Sequence, residues 1–307
     1  MIILIIFTIL LLLFIALLFF SYRMVFMHPF KIRPNARQIP ESNLYKDYTN
    51  TMLKGVEEAE ETSYKPLEIL SHDGHRLYGK LYTQRIGAPL FIFFHGYHGV
   101  AAWDGYGTFR FCKEHDFNIL LIDMRAHGKS EGDITFGIKE RYDCKLWIQY
   151  ALELLGNNTD IILSGVSMGA ATVTMASVLD LPSNVKAIIS DCCFSEPSAI
   201  IKETIRNMKL PTASTYAILK LGARLFGNFN PEETSPLLAV QNLTLPILFI
   251  HGSNDSIVPI EMCNALYENC ISKKEQVIIN GADHANCALV NYEAYDKAVM
   301  KFVKNVL

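Results

Sequence analysis

Six short apolar segments between residues 90 and 279 constrain the fold of this chain more strongly than any other feature of its sequence. Each segment is hydrophobic without alternation, which is typical of strands buried on both faces of a parallel sheet. Stretches of helical length separate them, and this order predicts right-handed crossovers with helices on both faces of the sheet. The segments are Leu90–Phe94, Ile119–Ile122, Ile161–Leu163, Val185–Ile189, Ile247–Ile250 and Val277–Ile279. The sequence therefore predicts an α/β protein with a mostly parallel central sheet.

Two parts of the chain depart from this alternation. Asp73-Gly74 lies between two apolar segments, and these residue types suit the positive φ angles of a tight turn, so we expect a β-hairpin there. The interval from Phe194 to Leu245 contains no strand segment and predicts a small helical insertion over one end of the sheet. The last helix is predicted over Ala288–Val306. We therefore expect one α/β domain over residues 67–307, with a helical lid at about 194–245.

The N-terminal segment Ile2–Phe20 contains 19 residues, of which only Thr8 is polar. A helix of this length rises about 28 Å, close to the thickness of bilayer hydrocarbon. No basic residue precedes the segment and no small-residue cleavage pattern follows it, which disfavours a cleaved secretory signal. A helix that is apolar on every side is also unlike a core helix of a soluble protein. We expect a single-pass membrane anchor over residues 1–22.

The flank that follows the anchor carries basic residues, namely Arg23, Lys31, Arg33 and Arg37. By the positive-inside rule, this flank and the rest of the chain are predicted to lie in the cytoplasm. Residues 23–66 contain prolines and a polar stretch, and we interpret them as a tether with one short amphipathic helix. On this interpretation, a chain that begins near Met27 is soluble and functional.

Composition and charge exclude several classes of protein. The chain has 28 Lys and Arg against 31 Asp and Glu, a net charge of −3, and no long basic run. A nucleic-acid partner is not expected, because binding to nucleic acid depends on neutralising phosphates with Lys and Arg. Seven cysteines without a C-x-x-C pair argue against a disulfide scaffold or a cysteine-rich zinc module. The adjacent Cys192 and Cys193 are interpreted as core residues.

The sequence Gly165-Val166-Ser167-Met168-Gly169 follows one of the buried segments and precedes a run of small residues. A strand, a tight G-x-S-x-G turn and a helix form a nucleophile elbow, in which the serine hydroxyl is raised above the sheet. The alternative is that Ser167 only caps the helix. The strand before the turn and the small residues after it favour the nucleophile.

A serine nucleophile requires a base and an acid that orients the base. Asp255 follows the segment Ile247–Ile250, and His284 follows Val277–Ile279, so both are expected beside the nucleophile at the carboxyl ends of the strands. Asp191, directly after a strand, and Asp283, next to His284, are rival candidates for the acid. We favour Asp255, because neighbours in sequence rarely have the geometry to orient a ring from behind.

These motifs, in the order Ser167, Asp255, His284, resemble the α/β-hydrolase fold serine hydrolases over residues 67–307, and the small membrane-anchored esterases, lysophospholipases and serine aminopeptidase-like proteins in particular. Two further motifs carry the resemblance: the segment from His95 to Gly99 is similar to the H-G-x-x-G oxyanion loop, and the segment from Asp123 to Gly132 is similar to the D-x-R-x-x-G-x-S-x-G turn. The resemblance implies hydrolysis through an acyl-enzyme without a cofactor. It also implies an oxyanion hole formed by the backbone N–H groups of Tyr97 and Met168, supported by His95, Gly96, Gly165 and Gly169.

The remaining polar residues of these motifs are expected to have structural roles. His95 is predicted to brace its loop, and Asp123 and Arg125 to form an ion pair that holds the turn. His98 and His127 lack a carboxylate cluster at ligand spacing, so no metal site is expected.

The predicted function is hydrolysis of carboxylic esters, with a lipophilic acyl ester or a lysophospholipid-like ester as the substrate class. The lid segment Ser214–Phe226 is rich in aliphatic residues and either shapes an apolar acyl pocket, lies near lipid headgroups or simply packs on the core. An acyltransferase, a peptidase and a non-enzymatic membrane-tethered scaffold remain alternatives with the same residues. The natural substrate and the oligomeric state are left open by the sequence.

Overall fold

The computed structural model describes residues 1–27 and 44–307. Its centre is an eight-stranded sheet in the order β1-β2-β4-β3-β5-β6-β7-β8. Strand β2 pairs antiparallel with β1 and β4, and the other neighbouring strands are parallel. The strands are β1 Lys65–Leu70, β2 Arg76–Tyr82, β3 Leu90–Phe94, β4 Asn118–Asp123, β5 Ile161–Val166, β6 Val185–Asp191, β7 Ile247–Gly252 and β8 Lys274–Ile279. The predicted mostly parallel sheet and the hairpin at Asp73-Gly74 are confirmed.

The helices cover both faces of this sheet, as predicted. In the described residues they are α1 Ile2–Phe26, α2 Thr49–Glu61, α3 Ala101–Asp104, α4 Tyr106–Glu114, α5 Glu140–Leu155, α6 Met168–Ala176, α7 Pro197–Asn207, α8 Thr212–Phe226, α9 Pro236–Val240, α10 Ile260–Asn269, α11 Cys287–Val290 and α12 Tyr292–Val306. Helices α7, α8 and α9 lie in the interval predicted to be a lid.

The central strands are buried on both faces because successive side chains enter different cores. Ile92 and Phe94 of β3 belong to one apolar cluster, which also contains residues of α5 and α6. Phe91 and Phe93 belong to a second cluster on the other face, which contains residues of α4 and α12. Side chains alternate across a strand, so a continuous apolar segment fills two cores at once. This explains why these strands show no polar alternation in the sequence.

The C-terminal helix differs from the prediction in its start. The segment predicted as one helix over Ala288–Val306 contains two helices, α11 and α12. Asn291 separates them, and its side-chain oxygen accepts a hydrogen bond from the backbone N–H of Ala294 at 3.0 Å. An asparagine that bonds the first turn in this way begins a helix rather than continuing one.

The segment predicted to be a tether is in part a packed element. Residues 28–43 lie outside the described residues. They include three prolines of the predicted tether and the basic residues Lys31, Arg33 and Arg37. Helix α2, however, buries Met52 and Val56 against Trp103. The amphipathic helix expected in this region is therefore attached to the α/β domain.

Helix α1 is long and apolar enough to cross a membrane, and it continues four residues past the predicted boundary at residue 22. Its last turns are anchored in the α/β domain: Tyr22 and Phe26 are 2% and 0% exposed. The Tyr22 hydroxyl donates to Asp133 at 2.7 Å, and the carbonyl of Phe26 accepts from the N–H of Ile134 at 2.7 Å. These contacts argue against the expectation that a chain beginning near Met27 is soluble and functional, because such a chain lacks two rings of the core.

We expect Phe26→Ala to lower the free energy of unfolding by about 3–5 kcal/mol, the range for truncating a buried phenylalanine. Phe20→Ala is the matched control in the same helix, because Phe20 is 63% exposed. Thermal and denaturant unfolding of the detergent-solubilised protein measures both variants. Equal stability of the two variants would show that the end of α1 is not part of the folded core.

Candidate active site

Ser167 occupies a strained turn between β5 and α6. Its backbone has φ 53° and ψ −116°, a left-handed conformation that non-glycine residues rarely adopt. The turn is held by a hydrogen bond from the Ser167 N–H to the carbonyl of Asp191 at 2.8 Å. The Ser167 side chain makes no capping hydrogen bond to α6, so Ser167 is not a simple helix cap.

The two glycines of the motif are required by close backbone contacts. A Cβ atom at Gly169 would lie 1.9 Å from the carbonyl oxygen of Phe94 on β3, and one at Gly165 would lie 2.4 Å from the carbonyl carbon of Gly169. Real Cβ atoms essentially never approach other atoms below 3.0 Å. The start of α6 can therefore pack against β3 and β5 only with glycine at both positions.

The structure brings Ser167, His284 and Asp255 into one hydrogen-bonded chain. The His284 Nε2 atom lies 2.9 Å from the Ser167 Oγ atom, and its Nδ1 atom lies 2.8 Å from the Asp255 Oδ2 atom. The other carboxylate oxygen, Asp255 Oδ1, accepts the backbone N–H groups of Ile257 and Val258 at 3.0 and 2.7 Å. Because β5, β7 and β8 are parallel, the loops after their carboxyl ends meet at one edge of the sheet.

The rival carboxylates are engaged elsewhere. Asp191 accepts the thiol of Cys192 at 3.2 Å through its Oδ1 atom. Asp283 accepts the backbone N–H groups of Ser256 and His284, both at 2.7 Å, through its Oδ1 atom. The ring nitrogen Nδ1 of His284 therefore faces Asp255, while Asp283 joins the two loops that carry Asp255 and His284.

The surroundings of Asp255, His284 and Asp191 shift the pKa values of these three groups in different ways. Burial alone would raise the pKa of Asp255, but its hydrogen bond with His284 lowers it below the ordinary 3.8. Burial opposes a charged His284, yet the hydrogen bond that its ring donates to Asp255 and the negative charge of that carboxylate raise the pKa of the imidazole above 6.5. Burial raises the pKa of Asp191 to about 6. Asp255 is thus the carboxylate best able to stabilise a positive charge on His284.

The loop after β3, which contains Tyr97, packs beside Ser167. A Cβ atom at Gly96 would lie 3.4 Å from the Cβ atom of Ser167. Among the acceptors that the structure describes, neither the N–H of Tyr97 nor that of Met168 has a hydrogen-bond partner. Unpartnered donors on both sides of a nucleophile are the requirement for an oxyanion hole.

Three side chains hold this loop, and one of them has no signal in the sequence. The N–H of Gly96 donates to the half-buried carboxylate of Asp104 at 2.7 Å. The N–H of Met124 donates to His95 Nε2 at 3.0 Å, so the other ring nitrogen of His95 donates to the Gly96 carbonyl at 2.8 Å. His127 accepts the N–H of His98 at 2.9 Å. These histidines brace the loop, whereas Asp104 lies in a short helix that the sequence analysis did not find.

The predicted ion pair between Asp123 and Arg125 in the turn after β4 is wrong. Arg125 is 1% exposed, and its guanidinium donates to Asp73 and Asp143. The Asp123 carboxylate instead accepts the N–H of Lys129 at 3.0 Å and packs against Gly128. In a strand, residues two positions apart lie on the same face of the sheet. Because β4 ends at Asp123, this rule does not place Arg125 beside Asp123.

Two buried cysteines, Cys192 and Cys287, adjoin the site, and the sequence pattern predicted only a core position for Cys192. The sulfur atoms of Cys192 and Cys287 lie 3.9 Å apart. The Cys192 sulfur is also within 4.8 Å of ligand atoms of Asp255 and His284. Their hydrogen bond and burial raise the pKa of the Cys192 thiol well above 9, so it is neutral at physiological pH. Metal binding there would require loss of this proton.

Comparisons with known proteins agree with this geometry. Residues 89–216 match the model of the α/β hydrolase fold, and residues 163–285 match the model of the serine hydrolase (FSH1) family. The esterase Pf2001 of Pyrococcus furiosus superposes with a TM-score of 0.67 at 23% identity, over 90% of this chain and 99% of that one. The chain therefore has the α/β-hydrolase fold, and part of it is similar to the serine hydrolases of that fold.

Curated relatives extend the likeness in sequence. The chain is 30% identical to the uncharacterized protein YqkD of Bacillus subtilis over 62% of its own length and 63% of that relative. It is 28% identical to the thiohydrolase aneE of Aspergillus aculeatus over 64% of its own length and 62% of that relative. The alignments thus span less than two thirds of the length of either relative.

The contacts of His284 predict the relative effects of two substitutions. Asp255→Asn removes the carboxylate that orients the imidazole and stabilises its protonated form. We expect kcat to fall by about 10⁴-fold, as for the equivalent change in other triads. Asp191→Asn retains the Asp255 contact and should cost far less. Steady-state kinetics with a p-nitrophenyl ester measures both variants. The reverse ranking would assign the acid to Asp191.

Proposed function

We propose that this protein hydrolyses carboxylic esters through a covalent acyl-enzyme on Ser167. The observation that carries the proposal is the hydrogen-bonded chain from Ser167 through His284 to Asp255, formed at a strained turn beside two unpartnered N–H groups. A serine in this arrangement has a base within reach of its proton and donors within reach of the charge that develops. This combination supports acyl transfer rather than a scaffold.

In the first half of the reaction, the Ser167 Oγ atom attacks the acyl carbonyl carbon while His284 Nε2 takes the hydroxyl proton. The carbonyl oxygen becomes an oxyanion, which the N–H groups of Tyr97 and Met168 stabilise. Asp255 fixes the tautomer of His284 and stabilises the imidazolium. The leaving alcohol receives the proton from His284 as the ester C–O bond breaks, and the acyl group remains on Ser167.

In the second half, a water molecule gives a proton to His284 and attacks the acyl carbonyl. The same two N–H groups stabilise the second oxyanion, and the proton returns from His284 to Ser167 as the acid product leaves. No redox step or added cofactor enters this sequence. An alcohol or amine in place of water would make the protein an acyltransferase, which analysis of products with and without an added acceptor distinguishes.

Two features favour a lipophilic ester over a peptide. The ring of Tyr97 stacks on Phe136 with centroids 5.2 Å apart, and Phe136 contacts Phe194, so the oxyanion loop adjoins a buried aromatic cluster. In the lid, Glu232 and Glu233 are paired with Lys220 and Arg141. These carboxylates are therefore committed to ion pairs rather than available for a peptide N-terminus. A thioester, the substrate type suggested by the name of the relative aneE, is a second acyl donor to be tested in parallel.

We expect Ser167→Ala to abolish hydrolysis of a short p-nitrophenyl ester and labelling by a fluorophosphonate probe, while the unfolding temperature is retained. The variant keeps the backbone of the turn but has no nucleophile. Ser164→Ala is a control on the same strand, since Ser164 is buried beneath the turn and contacts Thr108. Hydrolysis by Ser167→Ala near the wild-type rate would refute the assignment.

We further propose that α1 anchors the enzyme in a membrane, with the catalytic domain on the cytoplasmic side. Helix α1 is apolar and largely exposed over Ile2–Phe20, and water is a poor solvent for such a surface. Four basic residues follow within 20 positions of Phe20, which favours the cytoplasmic side for this flank.

Membrane fractions test this anchor and its orientation. The full chain should sediment with membranes and resist high salt, because burial of apolar surface does not depend on screened charge. Protease added to sealed cells should leave the catalytic domain intact, and permeabilised cells are the control that shows it can be cleaved. Cleavage in sealed cells would place the domain on the outer face.

A further inference from the structure

Helix α8 of the lid packs directly along the end of α1. Gly222 of α8 faces α1, and a Cβ atom there would lie 3.1 Å from the carbonyl oxygen of Leu18 and 3.3 Å from the Cβ atom of Tyr22. The rings of Phe226 and Phe19 are in edge contact with centroids 5.2 Å apart. A small residue at such a contact lets the two helices approach closely. The lid is therefore fixed to α1 rather than free to move independently of it.

This contact sets the level of α8 relative to a bilayer. Phe19 lies at the end of the apolar segment Ile2–Phe20, whose length matches the bilayer hydrocarbon. Arg23 lies one helical turn further, about 6 Å along the axis, at the level where a basic side chain reaches lipid headgroups. Because Phe226 touches Phe19, a bilayer spanned by Ile2–Phe20 would have the C-terminal half of α8 at the boundary between its hydrocarbon and headgroups.

The side of α8 next to α1 exposes apolar residues at this level. Leu221 and Leu225, one helical turn apart, are 38% and 61% exposed, and Phe226 is 36% exposed. The opposite side of the helix buries Tyr216 and Leu219 in the apolar core. Exposed apolar residues on a helix that borders a membrane segment are typical of an interfacial helix.

The charge of this part of the lid suits an anionic surface. Residues 201–226 contain one carboxylate, Glu203, and five basic residues. The basic residues are Lys202, Arg206, Lys209, Lys220 and Arg224. Lys220 is paired with Glu232 and Arg206 with Glu203, which leaves a charge of +3 on Lys202, Lys209 and Arg224, in a chain with a net charge of −3. Basic side chains around an apolar helix face are attracted to anionic phospholipids.

We propose that Leu221, Leu225 and Phe226 form a bilayer-binding surface, and that α8 and α1 together hold the catalytic site at the membrane surface. This inference rests on the membrane anchor proposed above for α1. It also narrows the proposed substrate class to amphiphilic esters that reside in the bilayer. The connection to the site is short: Phe26 at the end of α1 contacts Phe136, which stacks on Tyr97, and the Tyr97 hydroxyl donates to the carbonyl of Val25 at 3.0 Å.

Site-directed spin labelling of the full chain tests the surface without any assay of activity. The seven native cysteines are buried, so a nitroxide attached at Leu225→Cys is compared with one at Ile86→Cys. Ile86 is 93% exposed and precedes β3, at the end of the sheet away from the site. In vesicles of phosphatidylcholine and phosphatidylglycerol, the label at 225 should be accessible to oxygen and protected from a water-soluble nickel complex. The label at 86 should be accessible to the nickel complex.

Two results of this measurement would overturn the inference. Nickel access at 225 equal to that at 86 would place α8 in water. Protection of the label at 225 from both oxygen and nickel would show that protein covers the surface, for example residues 28–43 or a second copy of the chain.

Substrate delivery is tested with the double variant Leu221→Glu/Leu225→Glu and the control Ile86→Glu. The double variant should hydrolyse lysophosphatidylcholine in vesicles about tenfold more slowly than the control, because charge disfavours insertion of the helix. Hydrolysis of a water-soluble short ester should be the same for both proteins. An equal rate on the vesicle substrate would contradict delivery from the bilayer. If the wild-type protein hydrolyses no ester although the label at 225 is in lipid, the proposed function fails and the membrane surface stands.

Discussion

The contact between the start of α6 and the strands β3 and β5 is the constraint on which the rest of the site depends. Glycine at positions 165 and 169 allows backbone to meet backbone at distances that any Cβ atom would prevent. This contact holds Ser167 in a left-handed conformation that is unfavourable for a residue with a side chain. The conformation directs the hydroxyl to His284 and the N–H of Met168 away from helical pairing. The strain at one residue is thus balanced by the packing of three elements.

The positions of Asp255 and His284 depend in turn on the parallel order of the strands. Asp255 and His284 lie on separate loops that a parallel sheet brings to the same edge, and Asp283 ties these loops together through the backbone of Ser256. The backbone donors to Asp255 and its contact with His284 keep this carboxylate ionised despite burial. Asp191, with a thiol as its hydrogen-bond partner, has its pKa raised by burial. Partners, rather than depth of burial, separate the two carboxylates.

The end of α1 connects the apolar N-terminus to the same site. Phe26 packs in the core below the lid, and Val25 accepts the hydroxyl of Tyr97 from the oxyanion loop. A truncation that removes α1 including this last turn therefore removes side chains of the core as well as the exposed apolar part of the helix. Helix α1 therefore packs against the lid helix α8 and contributes to the core of the α/β domain, and it is not connected to that domain only by a tether.

The sequence by itself predicted the parallel sheet, and it singled out Ser167, Asp255 and His284, which the structure brings together. It could do so because buried strands need continuous apolar runs and the elbow needs glycines at fixed spacing. These requirements are local, so they can be recognised in a single chain. Only the tertiary structure decided which carboxylates pair with Arg125, that Asp104 holds the oxyanion loop, that Cys192 adjoins His284, and that α8 packs on α1. Each of these contacts joins parts of the chain through the packing of whole elements, and neither periodicity nor motif spacing carries that information.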